Sequence, residues 1–318
     1  MKVAVIGTGF GENVMARLYR ELGFEVDVAH PRDGDAIIRA CKPRPDLVSI
    51  HSPPFLHREH TLLAIESGCN VLCDKPFGLN VVEASEMRDR AVEAGVIHLL
   101  NFEFRHQPSR LKMKELIRAG AIGELRHLNW TYIGSGFSRR PHRWLFEKDK
   151  GGGWIGAFGS HAVDTLRWLF DAEILDCGGT MRTETGWRPD SKGNRVQSTA
   201  EDAFSAWFTM ANGYTVAIDT AYSASVTITQ RMILMGSTGA LELIDESRIV
   251  LHKPDEKPLS FDFPLPAGDP HEPALSPWLG KVRDAIAERR QISPSFEDGV
   301  AAATAMDLMR ARLTAVDG

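Results

Sequence analysis

The amino-acid sequence predicts an α/β protein with two domains: a doubly wound parallel sheet, then an α+β domain with a large, mostly antiparallel open sheet. Three observations predict it. An apolar run near the N-terminus ends in a glycine-rich turn, short apolar runs then alternate with helical stretches, and after about residue 121 strand-like runs follow one another through short turns. We therefore expect a dinucleotide-binding domain at residues 1–121 and a second domain at residues 122–318.

The composition is that of a globular protein of ordinary charge. The 318 residues carry a formal net charge of −5 without a basic stretch, so binding to nucleic acid or a membrane is not expected. No apolar run has transmembrane length and the apolar start is too short for a secretory signal, so we expect a cytoplasmic protein. The cysteines lack metal-ligand spacing and should be buried free thiols: Cys41, Cys69, Cys73 and Cys177.

The first strand, turn and helix indicate a dinucleotide site. Apolar residues 3–6 lead into Gly7-Thr8-Gly9-Phe10-Gly11, and an amphipathic stretch follows. Glycines let the backbone N–H groups of such a turn approach a pyrophosphate, and the helix N-terminus adds partial positive charge. The last position of the G-x-G-x-x-G pattern is Glu12, so the motif is G-x-G-x-G; a plain strand-to-helix turn is the alternative.

The end of the second predicted strand, residues 24–29, bears on the choice of cofactor. An NAD site places a carboxylate there to bind the ribose hydroxyls. This chain has His30-Pro31-Arg32 instead. Arg32 could bind a 2′-phosphate, so the sequence leans slightly toward NADP; a solvated loop charge is the alternative. We take His30 and Arg32 as candidate cofactor-binding residues.

Two further strand ends carry candidate site residues. The third strand, residues 47–50, leads into Ser52-Pro53-Pro54, a turn suited to lie under the cofactor, and His57 begins the next helix. The fourth ends at Asp74-Lys75-Pro76, and we expect it to stop at Lys75 because proline cannot donate to a ladder. The carboxyl ends of parallel strands are where open α/β sheets bind ligands, so Lys75 is a candidate acid/base. A surface lysine that merely ends a strand is the alternative.

The remaining elements complete a Rossmann-type sheet and the second domain. In the first domain we predict a short helix at about 35–41, helices around residues 57–65 and 84–91, a strand at 96–102 and a helix at about 109–118. In the second we predict strands at 125–132, 174–182, 203–210, 215–222, 230–235, 240–243 and 248–252, a loop at 186–198, and helices at 151–169, 273–290 and 297–315.

Three residues that come after Lys75 in the sequence are candidates for binding substrate. Arg105 follows a strand end and could clamp a carboxylate or hydroxyl. Trp144 and Trp154 flank a glycine run, where an aromatic ring could support a sugar. Ordinary packing is the alternative for each of them.

Five motifs in chain order resemble those of one known family. They are the turn at 7–11, Ser52-Pro53-Pro54 with His57, Asp74-Lys75-Pro76, the G-G-G-…-H-x-x-D helix at 151–164 and the glycine turn at 236–240. Nearly end to end, the chain resembles the glucose–fructose oxidoreductase, inositol dehydrogenase and rhizopine-catabolism (Gfo/Idh/MocA) oxidoreductases.

The resemblance implies a reversible hydride transfer between a nicotinamide, NAD or NADP, and a secondary alcohol carbon of a sugar, cyclitol or related polyol. In the family a lysine, whose bond to the following proline is often cis, and a histidine from the second domain flank the alcohol oxygen. Carried onto this sequence, they are Lys75 and His161. A structural histidine within the fold is the alternative for His161.

The chain departs from the family pattern at two places. Many members have an aspartate four residues before the catalytic histidine, where this chain has Ala157. Asp164, which we also take as a candidate substrate-binding residue, could orient the imidazole instead. A helix cap or a pair with Arg167 is the alternative for its side chain. The segment between the second strand and Leu47 is short by about a helix and a strand, so we expect a more open adenosine pocket.

Two other functions stay open at this point. Some relatives use tightly held NAD to oxidise a sugar transiently and eliminate a leaving group, and a non-catalytic dinucleotide-binding protein is the other alternative. We also expect a dimer or tetramer formed through the open sheet of the second domain, because strands such as 203–210, with Trp207, carry apolar residues that need cover.

Overall fold

The computed structural model describes residues 1–265 and 268–316, which form two compact units. The first unit comprises Met1–Glu103, Asp149–Gly151 and Leu275–Asp307, and the second comprises Phe104–Lys148, Gly152–Ala274 and Leu308–Gly318. The chain therefore crosses between units several times, whereas we predicted a single boundary after residue 121.

The first unit is built on five parallel strands in the order β2-β1-β3-β4-β5. β3, β4 and β5 are buried along their whole length, as expected for strands covered on both faces. The sheet ends at β2, consistent with the short segment that follows it in the sequence. The strands are β1 (Lys2–Ile6), β2 (Glu25–Ala29), β3 (Leu47–Ile50), β4 (Val71–Cys73) and β5 (His98–Leu100).

Helices connect these strands and close the core. A turn of π-helix at Gly11–Met15 leads into α1, Asp33 caps α2 through Ala36 N–H at 2.9 Å, and Asn80 caps α4 through Glu83 N–H at 3.0 Å. Later chain segments bring Trp278 and Val282 into the same core, both fully buried. The helices of the chain are α1 (Ala16–Glu21), α2 (Gly34–Cys41), α3 (His57–Glu66), α4 (Val81–Glu93), α5 (Pro108–Arg118), α6 (Ser160–Phe170), α7 (Glu272–Ala287) and α8 (Phe296–Arg312).

The second unit contains a nine-stranded sheet in the order β15-β14-β13-β12-β6-β11-β10-β7-β16. The neighbours β6/β11 and β7/β16 are parallel and the other pairs are antiparallel, which confirms the predicted mostly antiparallel sheet. A separate hairpin pairs β8 with β9. The strands are β6 (Leu125–Ile133), β7 (Ile174–Arg182), β8 (Trp187–Pro189), β9 (Arg195–Gln197), β10 (Ala203–Met210), β11 (Thr215–Ala221), β12 (Arg231–Gly236), β13 (Ala240–Ile244), β14 (Arg248–His252), β15 (Leu259–Asp262) and β16 (Leu313–Ala315).

Two predictions of local structure were wrong, and strand β15 was not predicted. The predicted loop at 186–198 is the β8/β9 hairpin, whose turn is held by Asp190 Oδ1 accepting from the N–H groups of Lys192 and Asn194 at 2.8 Å. The predicted helix at 297–315 stops at Arg312, because the next residues form β16 and pair with the edge of β7.

All four cysteines are buried free thiols, as predicted. Across residues 1–265 and 268–316, no helix is both long and apolar enough to cross a membrane. The same stretch of chain contains no group of His, Cys, Asp and Glu side chains arranged to hold a metal ion.

Candidate functional site

The carboxyl ends of the first unit's strands meet along one edge of its sheet. Gly7 N–H donates to Ala29 O, His51 N–H to Ile6 O, Asp74 N–H to Ile50 O and Asn101 N–H to Cys73 O, at 2.8–3.0 Å. The connections after β1 and β3 leave in opposite directions, which is the reversal of strand order where open α/β sheets bind ligands.

The glycine turn is shaped by close packing on one side and open space on the other. Gly7 has a φ of +145°, and a Cβ there would lie 2.6 Å from His51 O. A Cβ at Gly11 would lie 3.0 Å from His51 Cβ. Gly9, by contrast, is exposed and a Cβ there would meet nothing within 4 Å. The turn therefore leaves an open cradle of backbone at the start of a helix, which fits the pyrophosphate of a dinucleotide.

Gly9 allows the cradle to be tested without disturbing the fold. We expect the free energy of unfolding of Gly9→Val to equal that of the wild type, because a Cβ at this position meets nothing within 4 Å and no positive φ is required there. It fills the space of the cradle, so the affinity for a nicotinamide dinucleotide should fall at least about tenfold, as expected when a ligand group is sterically displaced. Calorimetric titration measures this.

Gly280→Ala is the matched control, because Gly280 also faces open space and lies on α7 of the same unit. It should leave cofactor binding unchanged and raise the free energy of unfolding by about 0.5–1 kcal/mol, because alanine favours a helix interior over glycine. Equal affinities of wild type and Gly9→Val would show that the cofactor does not use this turn.

The predicted cofactor loop Ser52-Pro53-Pro54 is held from behind by two histidines. His57 is 1% exposed, with Nε2 lying 2.7 Å from Ser52 O and Nδ1 lying 3.0 Å from Pro76 O. Burial lowers the pKa of His57, and the Asp74 carboxylate and the two carbonyls oppose that shift. His60 Nδ1 lies 2.9 Å from Ser52 Oγ. Since both ring nitrogens of His57 contact backbone, its predicted role as a cofactor ligand is corrected to that of a residue that positions the loop.

The end of β4 places the candidate base. The strand ends at Cys73, two residues before the predicted end at Lys75, and the Lys75–Pro76 bond is cis, as the resemblance implied. Asp74 Oδ1 accepts the Lys75 backbone N–H at 3.0 Å and Asn101 Nδ2–H at 3.3 Å, and its Oδ2 lies 3.2 Å from His51 Nδ1. Burial alone would raise the pKa of Asp74, but the hydrogen bond with His51 and the charge of Lys75 outweigh it and lower the pKa to about 2.

The depressed pKa of Asp74 predicts a pH dependence of stability. A carboxyl whose folded-state pKa lies below its unfolded-state value stabilises the fold above the unfolded value, and this contribution disappears as the pH falls toward the folded-state pKa of about 2. The shift corresponds to about 2 kcal/mol. Urea titrations at neutral pH and near pH 2 measure this. Between the two, the free energy of unfolding of the wild type should fall by about 2 kcal/mol more than that of Asp74→Asn. Asp27→Asn, which removes an exposed carboxyl of β2, should follow the wild type. Parallel losses in wild type and Asp74→Asn would contradict this account.

In the second unit, His161 lies on α6 within a group of aromatic and charged side chains. It is 5% exposed, and its ring centroid lies 4.5 Å from that of Phe104. Ala157, at the position of the family's aspartate, falls in a turn of π-helix, Ile155–Gly159, that precedes α6. No carboxylate side chain is therefore supplied from that position.

Asp164 and Arg105 form a buried ion pair. Arg105 Nη2–H donates to Asp164 Oδ1 at 2.5 Å and Nε–H to Oδ2 at 3.0 Å. The predicted clamp on substrate by Arg105 is therefore corrected: its guanidinium holds a carboxylate of its own chain. The alternative partner considered for Asp164, Arg167, pairs with Glu173 instead, at 2.6 Å.

The two tryptophans differ in their surroundings. Trp154 is 5% exposed, stacks on Tyr222 with centroids 3.9 Å apart, and donates from Nε1–H to Thr220 Oγ1 at 2.7 Å. Its predicted role in binding substrate is corrected to core packing. Trp144 is half-buried in a short 3₁₀ turn, Trp144–Phe146, and stays a candidate. In the first unit, His30 and Arg32 are exposed after β2 and stay candidates.

Sequence reasoning missed three residues around Asp74. His51, Ser49 and Asn101 are buried and all lie at the carboxyl side of the sheet. The signal that could have found two of them was position, because His51 and Asn101 directly follow β3 and β5, as Asp74 follows β4.

Comparison with known proteins identifies the family. The model described as an oxidoreductase family with an NAD-binding Rossmann fold matches residues 25–102, and the model of the GFO/IDH/MocA C-terminal domain matches residues 111–242. Together they cover more than half of the chain in the family's domain order.

Individual relatives agree with this assignment. An uncharacterized oxidoreductase of Synechocystis sp. is 29% identical over 98% of this chain and 93% of its own length. Levoglucosan dehydrogenase of Pseudarthrobacter phenanthrenivorans is 29% identical over 59% of this chain and 46% of its own. A solved structure of levoglucosan dehydrogenase in complex with NADH superposes with a TM-score of 0.85 at 22% identity, covering 98% of this chain and 96% of that one, which shows a shared fold. The chain belongs to the Gfo/Idh/MocA family of oxidoreductases.

Proposed function

We propose that the protein transfers a hydride between NAD or NADP and a secondary alcohol or ketone carbon of a sugar, cyclitol or related polyol. The observation that carries the proposal is Lys75, fixed through Asp74 at the same sheet edge as the open glycine cradle. The dehydrogenase name of the levoglucosan relative supports a sugar-like substrate.

Side chains of the protein would transfer the proton that accompanies the hydride. The nicotinamide, when bound, supplies the hydride acceptor in oxidation and the hydride donor in reduction. Lys75 Nζ accepts the proton of the alcohol as the C–H bond breaks, and returns it to the carbonyl oxygen in reduction. We propose His161 as the second proton-transfer residue because it matches the family's histidine. Asp74 stays a carboxylate throughout, which follows from its low pKa.

The cofactor would be held along the strand ends of the first unit. Backbone N–H groups of Gly7-Thr8-Gly9-Phe10-Gly11 bind the pyrophosphate, and Ser52-Pro53-Pro54 with Asp74-Lys75-Pro76 line the nicotinamide side. His30 and Arg32 contact the adenosine end. The exposed Arg32 and the missing acid after β2 support a slight preference for NADP.

Two alternatives share this fold. The observation that supports them is Ala157, which stands where many family members have an aspartate and therefore removes a group from the usual proton relay. A redox-elimination glycosidase needs only catalytic amounts of cofactor, whereas a dehydrogenase consumes one equivalent per turnover. A non-catalytic dinucleotide-binding protein would show no turnover at all.

We also propose a cytoplasmic dimer or tetramer formed through the second unit's sheet. Leu175 and Trp207, on the adjacent strands β7 and β10, are 64% and 48% exposed, a level of exposure that association would remove. Light scattering tests this, and a monomer would contradict it.

The experiment that tests the function is a panel of sugars, cyclitols and polyols assayed with NAD⁺ and NADP⁺. Formation of reduced nicotinamide in a one-to-one ratio with ketone product supports the proposal. Product formed without net cofactor reduction points to the elimination reaction. No turnover on the panel in either direction, with cofactor bound, points to the non-catalytic protein.

A further inference from the structure

Buried polar side chains form a continuous chain beneath the glycine turn. Tyr19 Oη lies 2.9 Å from Ser49 Oγ, Ser49 Oγ lies 2.8 Å from His51 Nε2, and His51 Nδ1 lies 3.2 Å from Asp74 Oδ2. Tyr19 and Ser49 are fully buried and His51 is 8% exposed. Because water does not reach these groups, their hydrogen bonds have to be satisfied within the fold.

The direction of donation follows from the tyrosine end. Burial raises the pKa of Tyr19, so its hydroxyl keeps its proton. Within residues 1–265 and 268–316, Ser49 Oγ is the hydrogen-bond partner of that hydroxyl, so the tyrosine proton has an acceptor when Tyr19 donates to Ser49. Ser49 O–H then donates to His51 Nε2, which must be unprotonated, and Nδ1–H donates to Asp74. All donors are used when His51 is neutral and protonated on Nδ1.

The opposite arrangement leaves a buried donor unused. If His51 Nε2 carried a proton, it would donate to Ser49, and Ser49 would donate to Tyr19. The Tyr19 proton would then point into the core without an acceptor, which is unfavourable for a buried polar group. This series of hydrogen-bonded side chains ends at the buried phenol of Tyr19, so it offers no path for protons to solvent from that end. We therefore assign it a role in holding side chains in place.

The same imidazole supports the cofactor turn. A Cβ at Gly11 would lie 3.0 Å from His51 Cβ and 3.5 Å from its Cγ, and the Phe10 ring approaches the His51 ring edge-on at 5.8 Å. His51 therefore contacts the turn on one side and the Asp74 carboxylate on the other. Asp74 in turn accepts the backbone N–H of Lys75.

We propose that His51 is a positioning residue: held by Ser49 as the Nδ1-protonated tautomer under the glycine turn, it fixes Asp74 and, through Asp74, the backbone of Lys75. The inference rests on the proposed role of Lys75 in proton transfer. Loss of the His51 hydrogen bond releases Oδ2, while Oδ1 still accepts from Lys75 N–H and Asn101 Nδ2–H. The carboxylate can then turn about its Oδ1 contacts, and the placement of Lys75 loosens without Lys75 leaving the site.

The tautomer is tested directly on the wild-type protein. Imidazole nitrogen NMR near neutral pH, with the His51 signals assigned by their loss in His51→Asn, should show a neutral ring protonated on Nδ1. This is the minority tautomer of a free histidine in water, so burial without specific hydrogen bonds does not produce it. A ring protonated on Nε2, or a charged ring, would overturn the proposal. The tautomer is read from the wild-type spectrum and needs no turnover; His51→Asn serves only to assign the signals.

The effect on Lys75 is tested by two substitutions. The amide nitrogen of asparagine stands as many bonds from Cβ as His51 Nδ1, whereas that of glutamine stands as many as Nε2. His51→Asn can thus donate to Asp74, and His51→Gln cannot do so from the same place. We expect kcat to fall about tenfold to a hundredfold in His51→Gln, the range for a lost hydrogen bond to a charged group, and at most about threefold in His51→Asn. The dissociation constant of the cofactor should change by less than about threefold in both, because the packing of Cβ under the turn is kept.

His98→Gln is the matched control, because His98 is a buried imidazole at the opposite, amino end of β5. It should leave kcat unchanged. Equal kcat losses in His51→Asn and His51→Gln, or losses in cofactor affinity as large as those in kcat, would indicate a merely structural histidine and overturn the proposal. Failure of the proposed function would appear elsewhere, as full turnover of a Lys75→Ala variant, and would leave the tautomer result unaffected.

Discussion

Lys75→Ala is expected to bind the cofactor and to lose turnover. Removal of a positioned acid/base typically lowers the rate about 10²- to 10⁴-fold, and we expect kcat to fall within that range. The dissociation constant of the cofactor should change by less than about threefold, because the glycine cradle supplies the pyrophosphate contacts. Steady-state kinetics with a substrate from the polyol panel, together with calorimetric titration of the nucleotide, measures both quantities.

Two further variants separate proton transfer from charge. Lys75→Arg keeps a positive charge at the strand end but cannot give up its proton near neutral pH, so it should lose turnover as Lys75→Ala does. Lys281→Ala, which removes an exposed lysine from α7 of the same unit, should be fully active. If Lys75→Ala kept more than about a tenth of the wild-type kcat, another residue would have to supply the base.

Arg105→Ala is expected to destabilise the second unit strongly. The variant leaves the carboxylate of Asp164, which is 2% exposed, without the guanidinium that binds both of its oxygens. Breaking a buried ion pair from one side costs about 3–5 kcal/mol. Urea titration should show this loss as a lower midpoint of unfolding, and activity should fall with it because His161 lies on the same helix as Asp164.

The loss should come from taking the opposite charge away from a buried carboxylate. The double variant Arg105→Met with Asp164→Leu removes both charges and should recover most of the lost stability. Arg182→Ala breaks a pair with Glu184 in which the side chains are 54% and 37% exposed, and should cost less than about 1 kcal/mol. A loss in Arg105→Ala no larger than that in Arg182→Ala would mean that Arg105 does not hold Asp164.

The first unit's sheet could be predicted because its signals are local. The strand Leu47–Ile50 is a short apolar run followed by prolines, and the turn after Ile6 shows its glycines directly in the sequence. The acid-Lys-Pro strand end was identified in the same way, one or two residues beyond the end of β4. Such features depend on neighbouring residues, which a sequence displays.

The errors are of two kinds. Some concern residues whose contact partners are distant in sequence, and one concerns a segment that becomes a strand by pairing with the edge of a sheet. Arg105 and Asp164 are 59 residues apart, so nothing local distinguished a guanidinium that binds substrate from one that binds a carboxylate. Trp154 beside a glycine run looked like a binding platform, but its stacking on Tyr222 comes from another part of the chain. Residues 313–315 continue a helical pattern in the sequence, and only the free edge of β7 makes them a strand.

The central claim, that the first unit binds a nicotinamide dinucleotide for redox chemistry, is tested most directly by calorimetric titration of the wild-type protein with NAD⁺, NADH, NADP⁺ and NADPH, after any co-purified nucleotide has been identified. We expect one oxidised and reduced pair to bind, with NADP slightly preferred if Arg32 contacts the 2′-phosphate. A protein that is free of nucleotide at the start and binds none of the four would contradict the account.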